Sequence, residues 1–195
     1  MHALIVISHP NTDSLTHALA AEVARGIADA GGEHTVEFAD LAAEGFNPSF
    51  NAQDHAYIEG KAELPTDVAA EIERIERANA VILVYPVYWW SFPALLKGWI
   101  DRVFTYRWAY GDGGADEPVG QLERFRFHLI GNGASSIRTY ARRGYWGAMR
   151  TQIDQGIFDY CGAKVVTSEI LSTSEPGFPE SHLETARKIG RGIFV

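Results

Sequence analysis

The chain has 195 residues, of which 46% are hydrophobic, and this suits a single globular domain over residues 1–195. The 17 lysine and arginine residues against 25 aspartate and glutamate residues give a net charge of −8, which repels phosphate backbones and argues against nucleic acid as a partner. The single cysteine, Cys161, excludes an internal disulfide; with no recognisable signal peptide and no apolar run long enough for stable membrane insertion, we expect a cytoplasmic protein.

The first elements are predicted to be a strand, a polar loop and a helix. Residues 3–7 form a short apolar run rich in β-branched side chains, typical of a strand buried on both faces of a parallel sheet. From Ser14, apolar residues recur at helical spacing as far as Ile27, and the Gly31-Gly32 pair predicts the end of the helix. A second strand is expected at residues 35–38.

The rest of the chain continues this alternation. The pattern predicts a charged helix over residues 67–78, the most apolar strand over 81–84, a helix over 93–104, a glycine-rich loop over 111–120, a strand over 127–130, a helix over 146–160, a strand over 165–171 and a helix over 179–192. Such an alternation predicts a doubly wound, five-stranded parallel sheet of the α/β class with helices on both faces. Ligands are then expected at the carboxyl ends of the strands.

The loop after the first strand carries one imidazole and several hydroxyl groups at the entry to a helix: His9 with Ser8, Thr12, Ser14 and Thr16. Free N–H groups at the start of a helix favour anions, so a phosphate group is expected here. The alternative is that Asp13 or Ser14 only caps the helix. Because no GxxxxGKS pattern is present, hydroxyl groups and helix amides would have to hold the phosphate.

The loop after the third strand concentrates large aromatic side chains: Tyr88, Trp89, Trp90 and Phe92. Exposed aromatic side chains of this size need a flat partner, such as an isoalloxazine ring, or a second subunit. The alternative is that the tryptophans are covered core residues.

The loop predicted at residues 131–136 has glycines where the backbone can approach a ligand closely, and Tyr140 follows it. It lacks the third glycine of a dinucleotide fingerprint and the last glycine of a GxSxG elbow. The seven histidines show no HExxH spacing, so no metal site is expected.

The longest motif is PVYWWSFPALLKGWIDRV at residues 86–103. It resembles the PxxWxxxPAxLKGWxDRV signature of the flavodoxin-like NAD(P)H:quinone oxidoreductases, the DT-diaphorase and modulator-of-drug-activity group. Similarity extends to residues 3–6, His9, residues 40–41 and 46–48, the Ala109-Tyr110 pair, the loop at 131 and residues 158–162.

This resemblance implies a homodimer whose two active sites lie at the interface. It implies a tightly bound FAD, or alternatively FMN, that takes a hydride from NADPH or NADH and passes two electrons to a small quinone-like acceptor. Some relatives are instead flavin-binding regulatory subunits of membrane ion-efflux systems, and this remains the alternative function.

The resemblance also assigns candidate residues by position. The flavin phosphate and ribityl contacts would be His9, Ser14, Leu15 and Thr16. The isoalloxazine would be lined by Pro86, Val87, Tyr88, Trp89 and Trp90. The ring's polar edge would meet Asn132, Gly133, Ala134 and Ser135, with Tyr140 as the catalytic donor. The substrate pocket would comprise Tyr110, Trp89 and Trp146. Trp146 stands where some members have a histidine, which leaves Tyr140 as the one donor of that pair.

Overall fold

The computed structural model describes residues 1–112 and 118–194. Its strands are β1 (His2–Ile7), β2 (Thr35–Asp40), β3 (Ala80–Pro86), β4 (Tyr110–Asp112), β5 (Pro118–Gly120), β6 (Arg126–Gly133) and β7 (Lys164–Ser172). Five of them form a parallel sheet in the order β2-β1-β3-β6-β7, and β4 and β5 form a small antiparallel ribbon. The expected five-stranded parallel sheet is confirmed.

Helices cover both faces of this sheet. They are α1 (Leu15–Asp29), α2 (Ala52–Ile58), α3 (Thr66–Arg77), α4 (Ala94–Val103), α5 (Ile137–Arg143), α6 (Tyr145–Met149), a π-helix (Arg150–Asp159) and α7 (Glu180–Arg191). Strand β3 shows why two layers form, because its side chains alternate between two cores. Leu83 packs with α3 and α4 on one face, whereas Ile82 packs with α1 and α7 on the other.

Several predicted boundaries were wrong at the carboxyl edge of the sheet. Pro86, Asn132 and Gly133 were expected in loops, but Pro86 ends β3 and pairs with Asn132 of β6. Proline, asparagine and glycine have low strand propensity, and pairing with neighbouring strands overrides it here. The loop predicted at residues 131–136 therefore begins only at Ala134.

Other elements were not predicted at all. Short helices α2 and α5 each begin at a capping side chain, Asn51 and Ser136 respectively. The described ends of the glycine-rich segment form β4 and β5, while residues 113–117 lie outside the described part of the chain. The helix expected over residues 146–160 exists, but most of it is a π-helix, with Tyr160 N–H donating to the Gln155 carbonyl five residues earlier at 3.0 Å.

The carboxyl half of the signature motif holds helices together. Arg102 on α4 is buried and donates to Asp54 of α2 at 2.9 Å and to Asp67 of α3 at 2.6 Å. On the same helix, a Cβ at Gly98 would lie 2.2 Å from the Pro48 carbonyl oxygen, so only glycine lets this segment approach. These contacts fix α4, and with it the aromatic loop that precedes it.

Candidate active site

Three loops meet at the carboxyl edge of the sheet because they follow adjacent strands, β1, β3 and β6. Two hydrogen bonds to Asn132 join them. Thr16 Oγ1 donates to the Asn132 side-chain oxygen at 3.0 Å, and the Val87 N–H donates to the Asn132 carbonyl at 2.8 Å. Asn132 is therefore the common anchor of all three loops.

The first loop ends in a capped helix. Ser14 is the N-cap of α1, and its Oγ accepts from the His17 N–H at 3.3 Å, so the simple capping alternative describes part of its role. Among described residues, the N–H groups of Leu15 and Thr16 have no acceptor. The Ser8 hydroxyl, at the end of β1, is buried without a partner. Free donors thus gather where the sequence predicts a phosphate.

A histidine that the resemblance did not assign organises this loop. His17 Nδ1 lies 2.8 Å from Ser14 Oγ, and its Nε2 lies 2.8 Å from Asp40 Oδ2. Burial opposes ionisation of Asp40, but hydrogen bonds from His17 and from the Ala43 N–H outweigh it and lower the pKa of that carboxyl. His9 is held separately, with Nδ1 3.0 Å from the Asn11 N–H.

The second loop is a tight turn with two tryptophans at its centre. Tyr88 and Ser91 exchange backbone hydrogen bonds at 3.2 and 3.0 Å. Trp89 has φ 51° and Trp90 has φ 57°, a left-handed conformation normally left to glycine or asparagine. Such strain costs of order 1–3 kcal/mol per residue and concentrates at functional sites.

The two tryptophans differ in their surroundings. Trp90 stacks on Tyr145 of α6, with ring centroids 3.8 Å apart and planes 33° apart. Trp89 is 88% exposed. The covered-core alternative therefore describes Trp90 in part and fails for Trp89, which presents a large flat surface to its surroundings.

The third loop is built so that its backbone donors stay free. The carbonyl groups of Gly133, Ala134 and Ser135 all accept hydrogen bonds from the last residue of β7 and the two residues after it. The N–H groups of Ala134, Ser135 and Ser136 have no acceptor within the described parts of the chain. The loop thus offers a row of three donors to a ligand.

Tyr140 lies under this loop. It is on α5, 2% exposed, and burial raises the pKa of its hydroxyl, so the group stays protonated at neutral pH. A Cβ at Gly133 would lie 2.8 Å from Tyr140 Oη, so a glycine is needed for this approach. Tyr140 is the fourth residue of α5 and does not begin the helix, and its hydroxyl reaches Gly133 at the start of the loop.

A cleft of about 280 Å³ lies between the second and third loops. Its lining residues are Val87, Tyr88, Trp89, Trp90, Ala134, Ser135 and Tyr140. The structure thus brings together seven of the residues predicted from the sequence. A larger cavity, about 520 Å³, lies at the amino-terminal edge of the sheet beside Asn79 and Arg124, and contains none of them.

Other predicted residues lie outside this cleft. His9, Ser14, Leu15 and Thr16 form the neighbouring loop, and Pro86 and Gly133 lie behind the cleft in strands. Tyr110 lines a separate groove with Ile157 and Tyr160, so within one chain it does not reach the cleft. Trp146 packs against the core beside the cleft instead of lining it.

Sequence reasoning missed the residues that hold the site from behind. Ser172, Ser174 and Glu175 bind the third loop, and Ser91 Oγ in the second loop donates to Gln152 of the π-helix at 2.8 Å. No motif marks them, because they come from distant parts of the chain. Among described residues, no cluster of metal-ligating side chains occurs, and no helix is long and apolar enough to cross a membrane.

Comparison with known proteins places this architecture in a family. The family described as flavodoxin-like fold matches residues 1–190. An uncharacterized NAD(P)H oxidoreductase of Haemophilus influenzae is 30% identical over 173 residues, which are 88% of this chain and 83% of that protein. NAD(P)H dehydrogenase (quinone) 1 of Rattus norvegicus is 29% identical over 191 residues, 87% of this chain and 68% of the rat protein.

A solved structure of an enzyme with a similar activity name is also similar to this chain over almost its whole length. The NAD(P)H:quinone oxidoreductase from Methanothermobacter marburgensis superposes with a TM-score of 0.87 at 30% identity, covering 98% of both chains. The chain therefore belongs to the flavodoxin-like fold family. Within that family its resemblance to the NAD(P)H:quinone oxidoreductases is confirmed, and it is an enzyme of the NAD(P)H dehydrogenase (quinone)-like type.

Proposed function

We propose that the protein is a flavin-dependent oxidoreductase that transfers two electrons from NAD(P)H to a small quinone-like acceptor. The observation that carries this proposal is the cleft in which Ala134 and Ser135, whose backbone amides are free, lie opposite an aromatic turn. A flat, polar-edged ring such as an isoalloxazine would find an apolar surface and hydrogen-bond donors at the same place.

The residues present fit a flavin. Val87, Tyr88 and Trp89 would line the ring, and Ala134 and Ser135 would donate through their backbone to its polar edge. The free amides of Leu15 and Thr16, with the Ser14 hydroxyl, would receive the phosphate end. We propose FAD as the cofactor, since the chain is similar in length to FAD-binding members of the group, with FMN as the alternative.

The chemistry divides between cofactor and protein. A bound flavin supplies an acceptor for hydride and stores the electron pair, so that NAD(P)H, one proton and a quinone become NAD(P)⁺ and a hydroquinone. The protein's contribution is electrostatic. Tyr140 and the amides of the third loop would donate to the ring edge where negative charge collects on reduction. Trp89 and Tyr88 would exclude water from the stacked nicotinamide or quinone.

The test begins with the purified protein. Heat release of the cofactor followed by chromatography should identify FAD, or FMN if the alternative holds. Stopped-flow mixing with NADPH and with NADH should bleach the flavin absorbance, and a quinone should restore it. A protein that neither carries nor takes up flavin overturns the proposal. If NAD(P)H reduces the flavin but a quinone never reoxidises it, the proposal of a quinone acceptor is overturned. Co-purification with a membrane channel would then favour the regulatory-subunit alternative.

A glycine variant tests the location of the cleft. In Gly133→Ala the new methyl group would press on Tyr140 Oη, so we expect flavin to bind about tenfold more weakly, the loss of about 1.4 kcal/mol. Gly147→Ala is the matched control, because a Cβ at Gly147 would meet nothing within 4 Å. Titration of each apoprotein variant with flavin measures its dissociation constant. Equal dissociation constants for the two variants would place the flavin elsewhere.

A further inference from the structure

The third loop owes its conformation to one segment, residues 172–175, which we call the carbonyl brace. The Thr173 N–H donates to the Gly133 carbonyl at 2.8 Å. Ser172 Oγ donates to the Ser135 carbonyl at 2.8 Å, and Ser174 Oγ donates to the Ala134 carbonyl. Three consecutive carbonyl groups, that of Gly133 at the end of β6 and those of the first two loop residues, are thus bonded by three consecutive residues of the brace.

Peptide geometry turns this bracing into a directed row of donors. In a planar trans peptide the C=O of one residue and the N–H of the next point in opposite directions. Because the carbonyls of residues 133–135 point towards the brace, the N–H groups of residues 134–136 point away from it. Ala134 and Ser135 line the cleft, so we infer that the N–H groups of these two residues are directed towards it.

The brace is itself fixed. Ser172 is 1% exposed, and its carbonyl accepts from the Glu175 N–H at 3.0 Å and from His182 Nε2 at 2.7 Å. His182 is buried on α7. The Ser172 end of the brace is therefore anchored in the protein core, whereas Ser174 is exposed.

Glu175 places a negative charge near the loop, and its effect is opposite to that of the donors that the serines hold in place. Its Oε1 accepts from the Ile137 N–H at 3.0 Å, at the first turn of α5 and directly after the row of free amides. The serine hydroxyls of the brace hold donors in place, whereas the Glu175 carboxylate puts negative charge beside them. None of the brace residues lines the cleft, so the two serines act through the loop as positioning residues and Glu175 acts through its charge.

We propose that the carbonyl brace sets the reduction potential of the flavin, with Ser172 and Ser174 raising it and Glu175 lowering it. Two-electron reduction puts negative charge on the polar edge of the ring, so donors held in place stabilise the reduced flavin and a nearby carboxylate destabilises it. The inference rests on the proposed function, since it requires a flavin edge at the third loop.

The experiment compares two variants that should shift the potential in opposite directions. The double variant Ser172→Ala/Ser174→Ala loosens the donors, and we expect the reduced flavin to bind about fivefold more weakly relative to the oxidised flavin, the effect of one or two hydrogen bonds. For a two-electron couple this lowers the midpoint potential by about 20 mV. Glu175→Gln keeps an acceptor for the Ile137 N–H but removes the charge, and should raise the potential by a similar amount.

Matched measurements separate the possible outcomes. Thr185→Ala removes another hydroxyl-to-carbonyl hydrogen bond on α7, from Thr185 Oγ1 to the Ser181 carbonyl, and should leave the potential unchanged. Unchanged potentials in both brace variants at full flavin occupancy, or shifts of the same sign, overturn the inference. If the double serine variant loses its circular dichroism signal, the sign of the Glu175→Gln shift decides alone. Wild-type protein that binds no flavin overturns the proposed function as well.

Discussion

Tyr140 combines burial with a hydroxyl directed at the third loop. Burial raises the pKa of the Tyr140 hydroxyl, so the oxygen keeps its proton at neutral pH and the group is a hydrogen-bond donor there. Within the described chain its hydroxyl makes no hydrogen bond to protein, so a donor of fixed position remains available for a ligand.

The variant Tyr140→Phe should slow flavin reduction by NAD(P)H about tenfold, or about 1.4 kcal/mol in the barrier. At an oxyanion site, loss of one preorganised donor lowers the rate about 10²–10³-fold. The negative charge of a reduced flavin is delocalised, so its stabilisation should depend less on any one donor. Stopped-flow absorbance measures the rate, and flavin content should remain that of the wild type because the ring still packs. An unchanged reduction rate at full occupancy would remove Tyr140 from the mechanism.

The sequence predicted the individual residues that line the cleft better than those that support it. The aromatic turn and the third loop follow apolar strands, so their place at the carboxyl edge follows from the fold class alone. Glu175 and Ser172 could not be predicted, because they act through backbone groups about 40 residues away and no local pattern marks such pairings. The left-handed turn at Trp89 and Trp90 could not be predicted from the sequence either, since tryptophan is not a typical turn residue.

At the scale of elements, strong apolar runs were predictable and short elements were not. Strands β1 and β3 are buried on both faces and appear in the sequence as continuous apolar runs rich in β-branched residues. Helices α2 and α5 have seven residues each and depend on single capping side chains, so periodicity cannot reveal them. The position of α2 is fixed instead by a tertiary contact, the buried ion pair of Asp54 with Arg102.

Arg102→Met should therefore destabilise the fold by about 3–5 kcal/mol, because it leaves the buried carboxylate of Asp54 without its cation. Urea unfolding at neutral pH measures the loss. Lys97→Met on the same helix is the control, since its ion pair with Asp101 is exposed and should contribute less than about 1 kcal/mol. Equal losses in the two variants would contradict a structural role for the Arg102 cluster.

The same cluster predicts a pH dependence. The hydrogen bond and charge of Arg102 lower the pKa of Asp67 despite partial burial. A carboxyl with a lowered pKa in the folded state stabilises the protein above its unfolded pKa, and this contribution disappears as the pH falls through the lowered value. Stability of Arg102→Met should consequently fall less steeply on acidification than stability of the wild type.

At the scale of the whole molecule, the exposed aromatic side chains need an explanation. Trp89 is 88% exposed, and Tyr88, Tyr160 and Phe50 are each 45–49% exposed. Tyr110 lies in its own groove with Tyr160, away from the cleft that the resemblance assigns it to cover. We expect a second copy of the chain to cover this surface and to bring its Tyr110 to the cleft.

We accordingly expect a homodimer whose stability depends on Trp89. Light scattering at micromolar concentration should give twice the mass of one chain, because a surface with this much aromatic area is unfavourable in water and favours self-association. Trp89→Ser should raise the dimer dissociation constant at least tenfold, since large aromatic side chains dominate interface energies. Phe178→Ser, which removes another exposed aromatic side chain outside the cleft, is the matched control and should leave association unchanged. A wild-type monomer that binds flavin fully and turns over quinone would show that the site is complete within one chain.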